Sequence, residues 1–108
     1  MRVRVFGRSL ATSDAQRAFV QRKIGAALRR VRRLGGTADV RLADLNGPKG
    51  GVDQACTVVL TPPGLRTIRI EERAADSYAA VERAARRLRR TVARILDRRK
   101  TNGSRHEH

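Results

Sequence analysis

The segment from Asp76 to Lys100 constrains the fold more than any other. Tyr78, Val81, Ala85, Leu88, Val92 and Ile95 recur at spacings of three and four residues, which lays one continuous apolar seam along about five turns of α-helix. Asp76 supplies an N-cap whose charge also suits the helix N-terminus. Opposite the seam, Arg83, Arg86, Arg87, Arg90 and Arg94 fall within about 100° of one another. Such a helix must lay its seam on an apolar surface and leave a cationic face outside.

A second amphipathic segment precedes it. Ser13 followed by Gln16 forms a potential capping box, and Gly35-Gly36 is a stop signal, so a helix is predicted over residues 14 to 34. Val20, Ile24, Ala27, Leu28 and Val31 make its inward stripe, while Arg22, Arg29 and Arg33 point the other way and Lys23 and Arg30 lie on one flank. Between the helices, residues 38–45, 55–61 and 66–72 alternate in the period of strands. Asn46-Gly47-Pro48-Lys49-Gly50-Gly51 and Pro62-Pro63-Gly64 read as hairpin turns. Residues 2–7, with Val3 and Val5 on one side, add a strand that the helical crossover would place parallel to the one beginning at Ala38. The expected fold is α+β, in the order βαβββα, with a four-stranded sheet and both helices on one face.

The 108 residues fit one domain, expected over residues 1 to 100, with residues 101–108 as a disordered tail. Charge is unevenly spread. The chain carries 25 Lys plus Arg against 10 Asp plus Glu, a net charge of +15. Each of residues 14–34 and 76–100 holds +6 of that, whereas residues 35–75 are neutral. Like charges four apart, such as Arg86/Arg90, cost an isolated helix about 0.2 to 0.5 kcal/mol per pair, so a polyanionic partner is expected to offset them. With both helices on one sheet face, Lys23, Arg29 and Arg30 are expected to adjoin Arg83, Arg87, Arg90 and Arg94. Arginine forks grip phosphate oxygens with paired hydrogen bonds. Such contacts position a protein without reading sequence, which points to the shape of a folded RNA. The same surface on duplex RNA or DNA, in a general coating protein, is the alternative.

Other chemistries lack support. Cys56 lies in a strand beside Val58 and Leu60 and reads as core. His106 and His108 have no further ligands for a metal. Lys49 is followed by Gly50 instead of Ser or Thr, so its glycine-rich stretch is a hairpin and no phosphate loop. Tyr78 has the spacing of a core residue. No nucleophile and base can be paired, and no apolar run approaches the length of a membrane span. Neither an enzyme, a cofactor, a small-molecule substrate nor a membrane partner is expected. The lone cysteine and the lack of a secretory signal point to the cytoplasm.

Asp76-Ser77-Tyr78-Ala79-Ala80-Val81-Glu82, followed by Arg87-Leu88 and Arg90, resembles the Asp-Met-Tyr-Ala-Ala-Ile-Asp motif and basic helix of ribosome hibernation promoting factors, the ribosome-associated translation inhibitors. Phe19-Val20 with Lys23, and the stretch from Asn46 to Asp53, add to the resemblance, which spans residues 2 to about 100. It implies a domain that binds the small ribosomal subunit between head and body, contacts 16S rRNA and occludes the mRNA and tRNA sites of an idle ribosome. Carried over residue by residue, it implies rRNA contacts from Lys23, Arg29, Arg87, Arg90, Arg94 and Arg98. It also implies a short form, monomeric off the ribosome.

Overall fold

The computed structural model describes residues 1–7, 12–45 and 54–106, with side chains up to residue 98. Four strands and two helices follow in the expected order: β1 (Arg2–Gly7), α1 (Asp14–Ala27), β2 (Thr37–Asp44), β3 (Gln54–Thr61), β4 (Ile68–Ala74) and α2 (Ser77–His106), with a 3₁₀ helix (Arg29–Leu34) after α1. The sheet runs β1-β2-β3-β4. β1 and β2 are parallel, while the β2/β3 and β3/β4 pairs are antiparallel.

Register turns the alternation of each strand into a layer. Val5 sits opposite Val40, Val40 opposite Val58 and Val58 opposite Ile70, a row that crosses all four strands. Its members are buried together with Val20 and Ile24 of α1 and Val81, Leu88 and Val92 of α2. α1 contacts β1, α2 contacts β3 and β4, and the helices contact each other. The opposite sheet face has no helix among the described residues.

Local signals set the helix starts. The Ser13 hydroxyl accepts from the Gln16 N–H at 3.1 Å and the Gln16 side chain accepts from the Ser13 N–H at 2.9 Å, closing the capping box. Asp76 accepts from the Ala79 N–H at 2.8 Å and so caps α2.

The helix ends depart from expectation. The α-helix over residues 14–34 stops at Ala27: the Leu28 N–H is shared between the Ile24 and Gly25 carbonyls, and the Val31 N–H then bonds Leu28 in a 3₁₀ step. The spacing of three between Leu28 and Val31 suits both helix types, so both residues stay buried. α2 runs to His106, about six residues past the end expected near Lys100. Residues 101–106 contain no proline, and extending an anchored helix adds one hydrogen bond for each residue fixed, without a new nucleus. β4 begins at Ile68, two residues late. The Pro62-Pro63-Gly64 turn forms as expected, with the Leu65 N–H donating to Pro62; the hairpin expected over 46–51 lies outside the described residues.

Gly36 is required where the chain enters β2. It has φ +85°, and a Cβ there would collide with the Thr61 backbone carbonyl and press on Pro62 and Pro63. Gly64 has φ +71° but open space around it. Gly64→Ala is expected to cost about 1 kcal/mol for the backbone alone. Gly36→Ala is expected to cost more, since backbone must move as well. Urea denaturation of the two variants checks that order.

Candidate nucleic-acid interface

The facing sides of α1 and α2 are built from small residues bordered by long cations. An exposed Ala26 on α1 and Ala85 and Ala93 on α2 line a groove between the helices. One cavity of about 340 Å³ lies along Arg22, Lys23, Glu82, Arg86 and Arg89. The next, about 330 Å³, lies along Arg29, Arg30 and Arg89 over a floor of Ala27 and Val92. Six cations from two separate stretches of chain thus border one groove, with Glu82 the carboxylate among its lining residues. Lys23 Nζ stands 3.9 Å from Glu82 Oε1 with both side chains about half exposed, a geometry of little energetic weight.

An aromatic pair ties the helices together near the start of α2. The Phe19 and Tyr78 rings meet edge to face at 4.8 Å, and Gln16 Nε2 donates to Ser77 Oγ at 3.1 Å. The Arg22 and Lys23 cations stand 5.6 and 5.7 Å from the Phe19 centroid, within cation–π range. Tyr78 was expected in the core, yet it is 40% exposed. Its seam position leads toward α1 instead of the sheet, so it packs against Phe19 and keeps its outer side in solvent.

The predicted site residues divide into three groups. Lys23, Arg29 and Arg30 border the groove. Arg90, Arg94 and Arg98 are exposed on α2, and Arg94 Nη2 donates to Thr91 Oγ1 at 3.4 Å. Arg83 and Arg87 do not adjoin α1. They lie on the other flank of α2, above β4, where Arg83 Nη1 donates to the Arg73 carbonyl at 2.8 Å and Arg87 Nη1 reaches Glu72 Oε2 at 2.9 Å. Arg86 and Arg89 take their place opposite α1. A helical projection gives the angle between residues but not which flank meets the neighbouring helix, and it sets Arg89 nearer the apolar seam than the cationic stripe. Its signal is the spacing of four from both Ala85 and Ala93, the small residues of the crossing.

Away from the groove, burial pushes the Cys56 thiol up to about 12. It stays protonated and covered in the folded protein, so a disulfide-exchange reagent at pH 8 is expected to label it only after denaturation; prompt stoichiometric labelling of native protein would contradict this placement. Among the described residues no cluster of His, Cys, Asp and Glu could hold a metal ion, and no helix is long and apolar enough to cross a membrane.

The geometry has counterparts. The Thermus thermophilus Protein Y N-terminal domain, a crystal structure, is similar with a TM-score of 0.72 and 32% identity over 88% of this chain and 99% of that one. A ribosomal subunit interface protein from Coxiella burnetii shares the fold at TM-score 0.72 and 19% identity, covering 90% of this chain and 99% of its own. No curated protein matches the sequence. The family described as sigma 54 modulation protein / S30EA ribosomal protein matches residues 3–100. With nearly the whole sheet and most of α2 inside that match, the chain belongs to the sigma 54 modulation / S30EA ribosomal protein family.

Proposed function

We propose that the protein is a non-enzymatic hibernation factor that binds the small ribosomal subunit, contacts 16S rRNA through the α1/α2 groove and the outer arginines of α2, and occludes the mRNA and tRNA sites. It acts by occupancy, as a monomer in the cytoplasm. The observation that carries this reading is the convergence of Arg22, Lys23, Arg29, Arg30, Arg86 and Arg89 on one groove with a single carboxylate in its lining. Family membership supports it, since the family is described as one of ribosomal proteins. A groove of guanidinium forks grips the curved, closely spaced phosphates of folded RNA without reading bases. Arg83 and Arg87, held toward β4, contribute mainly to the long-range field.

Cosedimentation with small subunits tests the proposal. If about six to ten phosphates are engaged, affinity falls by about a thousandfold or more between 50 and 200 mM salt. Subunits preloaded with mRNA and tRNA are expected to exclude the protein, and equal pelleting with loaded subunits would overturn occlusion. Bulk duplex RNA at equal phosphate concentration is expected not to displace it; displacement would favour the general duplex-coating reading, which uses the same phosphate contacts.

A further inference from the structure

The sheet face away from the helices carries an aromatic–cation cluster that the groove does not use. Along β1, Arg2, Arg4 and Phe6 alternate with the inward Val3 and Val5. In register, Phe6 stands beside Arg41 and Arg4 beside Asp39. Phe6 is 39% exposed, although it is one of only three aromatic residues in the chain. The Arg41 and Arg4 guanidinium carbons lie 5.3 and 5.8 Å from its ring centroid. Arg4 is fixed there by a two-pronged bond to Asp39, Nε to Oδ1 at 2.7 Å and Nη2 to Oδ2 at 2.9 Å. Those hydrogen bonds hold the Asp39 carboxyl below its ordinary range, so it stays ionised and keeps Arg4 in place. The other carboxylate of this face, Glu71, sits between Arg69 and Arg73 at 3.7 and 3.5 Å. Five arginines against two carboxylates leave the described part of the face cationic.

We propose that this open sheet face, centred on Phe6, Arg4 and Arg41, is a second contact surface that takes a single-stranded RNA segment and stacks one of its bases. An exposed ring bordered by guanidinium groups offers a flat π surface and positive charge within one nucleotide's reach, which is what a base and its phosphate require together. Duplex RNA satisfies the charge but keeps its base faces stacked inside. An acidic peptide satisfies the charge but brings no base to stack. One aromatic limits the surface to one base, in contrast to sheets that line up two or three. The proposal stands independently of the groove, because the cluster lies on the opposite side of the sheet.

The test uses the full chain, a fluorescein-labelled 12-nucleotide single-stranded RNA and a 12-base-pair duplex, read by anisotropy. Phe6→Leu leaves net charge unchanged at an exposed edge-strand position and is expected to weaken single-strand binding by about fivefold to a hundredfold, the worth of one stacked base, with duplex binding unchanged. The same ratio is expected in an Arg30→Glu/Arg86→Glu/Arg89→Glu background, which separates failure of this surface from failure of the groove. Arg41→Ala should weaken the single strand as well and flatten its salt dependence. Equal single-strand affinity of wild type and Phe6→Leu overturns the proposal. So does loss of single-strand and duplex binding in equal measure. Phe6-dependent binding of a glutamate-rich peptide as tight as that of the RNA also overturns it, in favour of a protein partner.

Discussion

Reversing Arg30, Arg86 and Arg89 to glutamate is expected to lower small-subunit affinity by at least about a hundredfold at moderate salt. Each lost phosphate contact removes roughly one unit of the salt slope, and each reversed charge adds repulsion that the Debye length of about 10 Å at 0.1 M does not fully screen. All three side chains border the groove, Arg30 from α1's side and the other two from α2. Arg83→Glu/Arg87→Glu makes two charge reversals against three, but those side chains already bond to β4. Its effect should therefore be several times smaller. Equal losses per reversed charge from the two variants would mean that net charge alone drives binding and that the groove has no special part.

The second large effect concerns stability. Leu88 lies at the middle of the α2 seam and is fully buried in the core. Leu88→Ala is expected to cost about 2 to 5 kcal/mol, from lost transfer energy and the cavity left behind. Native domains of this size are stable by only about 5 to 15 kcal/mol, so the variant should melt at least about 10 °C lower. Because α2 also carries half the groove, RNA binding should fall at temperatures where the variant is partly unfolded and recover on cooling. A cost below about 1 kcal/mol in urea denaturation would show that the seam is not packed on the sheet.

Much of this arrangement is legible in the residues because local and long-range signals agree. Ser13 and Gln16 cap α1 as their spacing implies, Asp76 caps α2, and the alternation of Val3 and Val5 with arginine orients β1. Three features were hidden for physical reasons. The switch at Leu28 leaves the spacing of buried residues unchanged, so periodicity cannot reveal it. The backbone of α2 continues through Asn102-Gly103, a pair that commonly stops helices, so residue type alone does not mark its end. The flank that α2 turns toward α1 depends on how two helices seat on a twisted sheet, and this is why Arg83 and Arg87 were assigned to the place that Arg86 and Arg89 occupy. Tyr78 shows the same limit, since its spacing marks the seam but not which neighbour covers it.

In the proposed complex the groove between the two helices faces ribosomal RNA. A short photoreactive side chain at Ala26, which lines the groove from α1, measures this directly in the complex with isolated small subunits. Cross-links to 16S rRNA are expected, lost when mRNA and tRNA are loaded first. Cross-links confined to ribosomal proteins, or none from a protein that still pellets with the subunit, would contradict it.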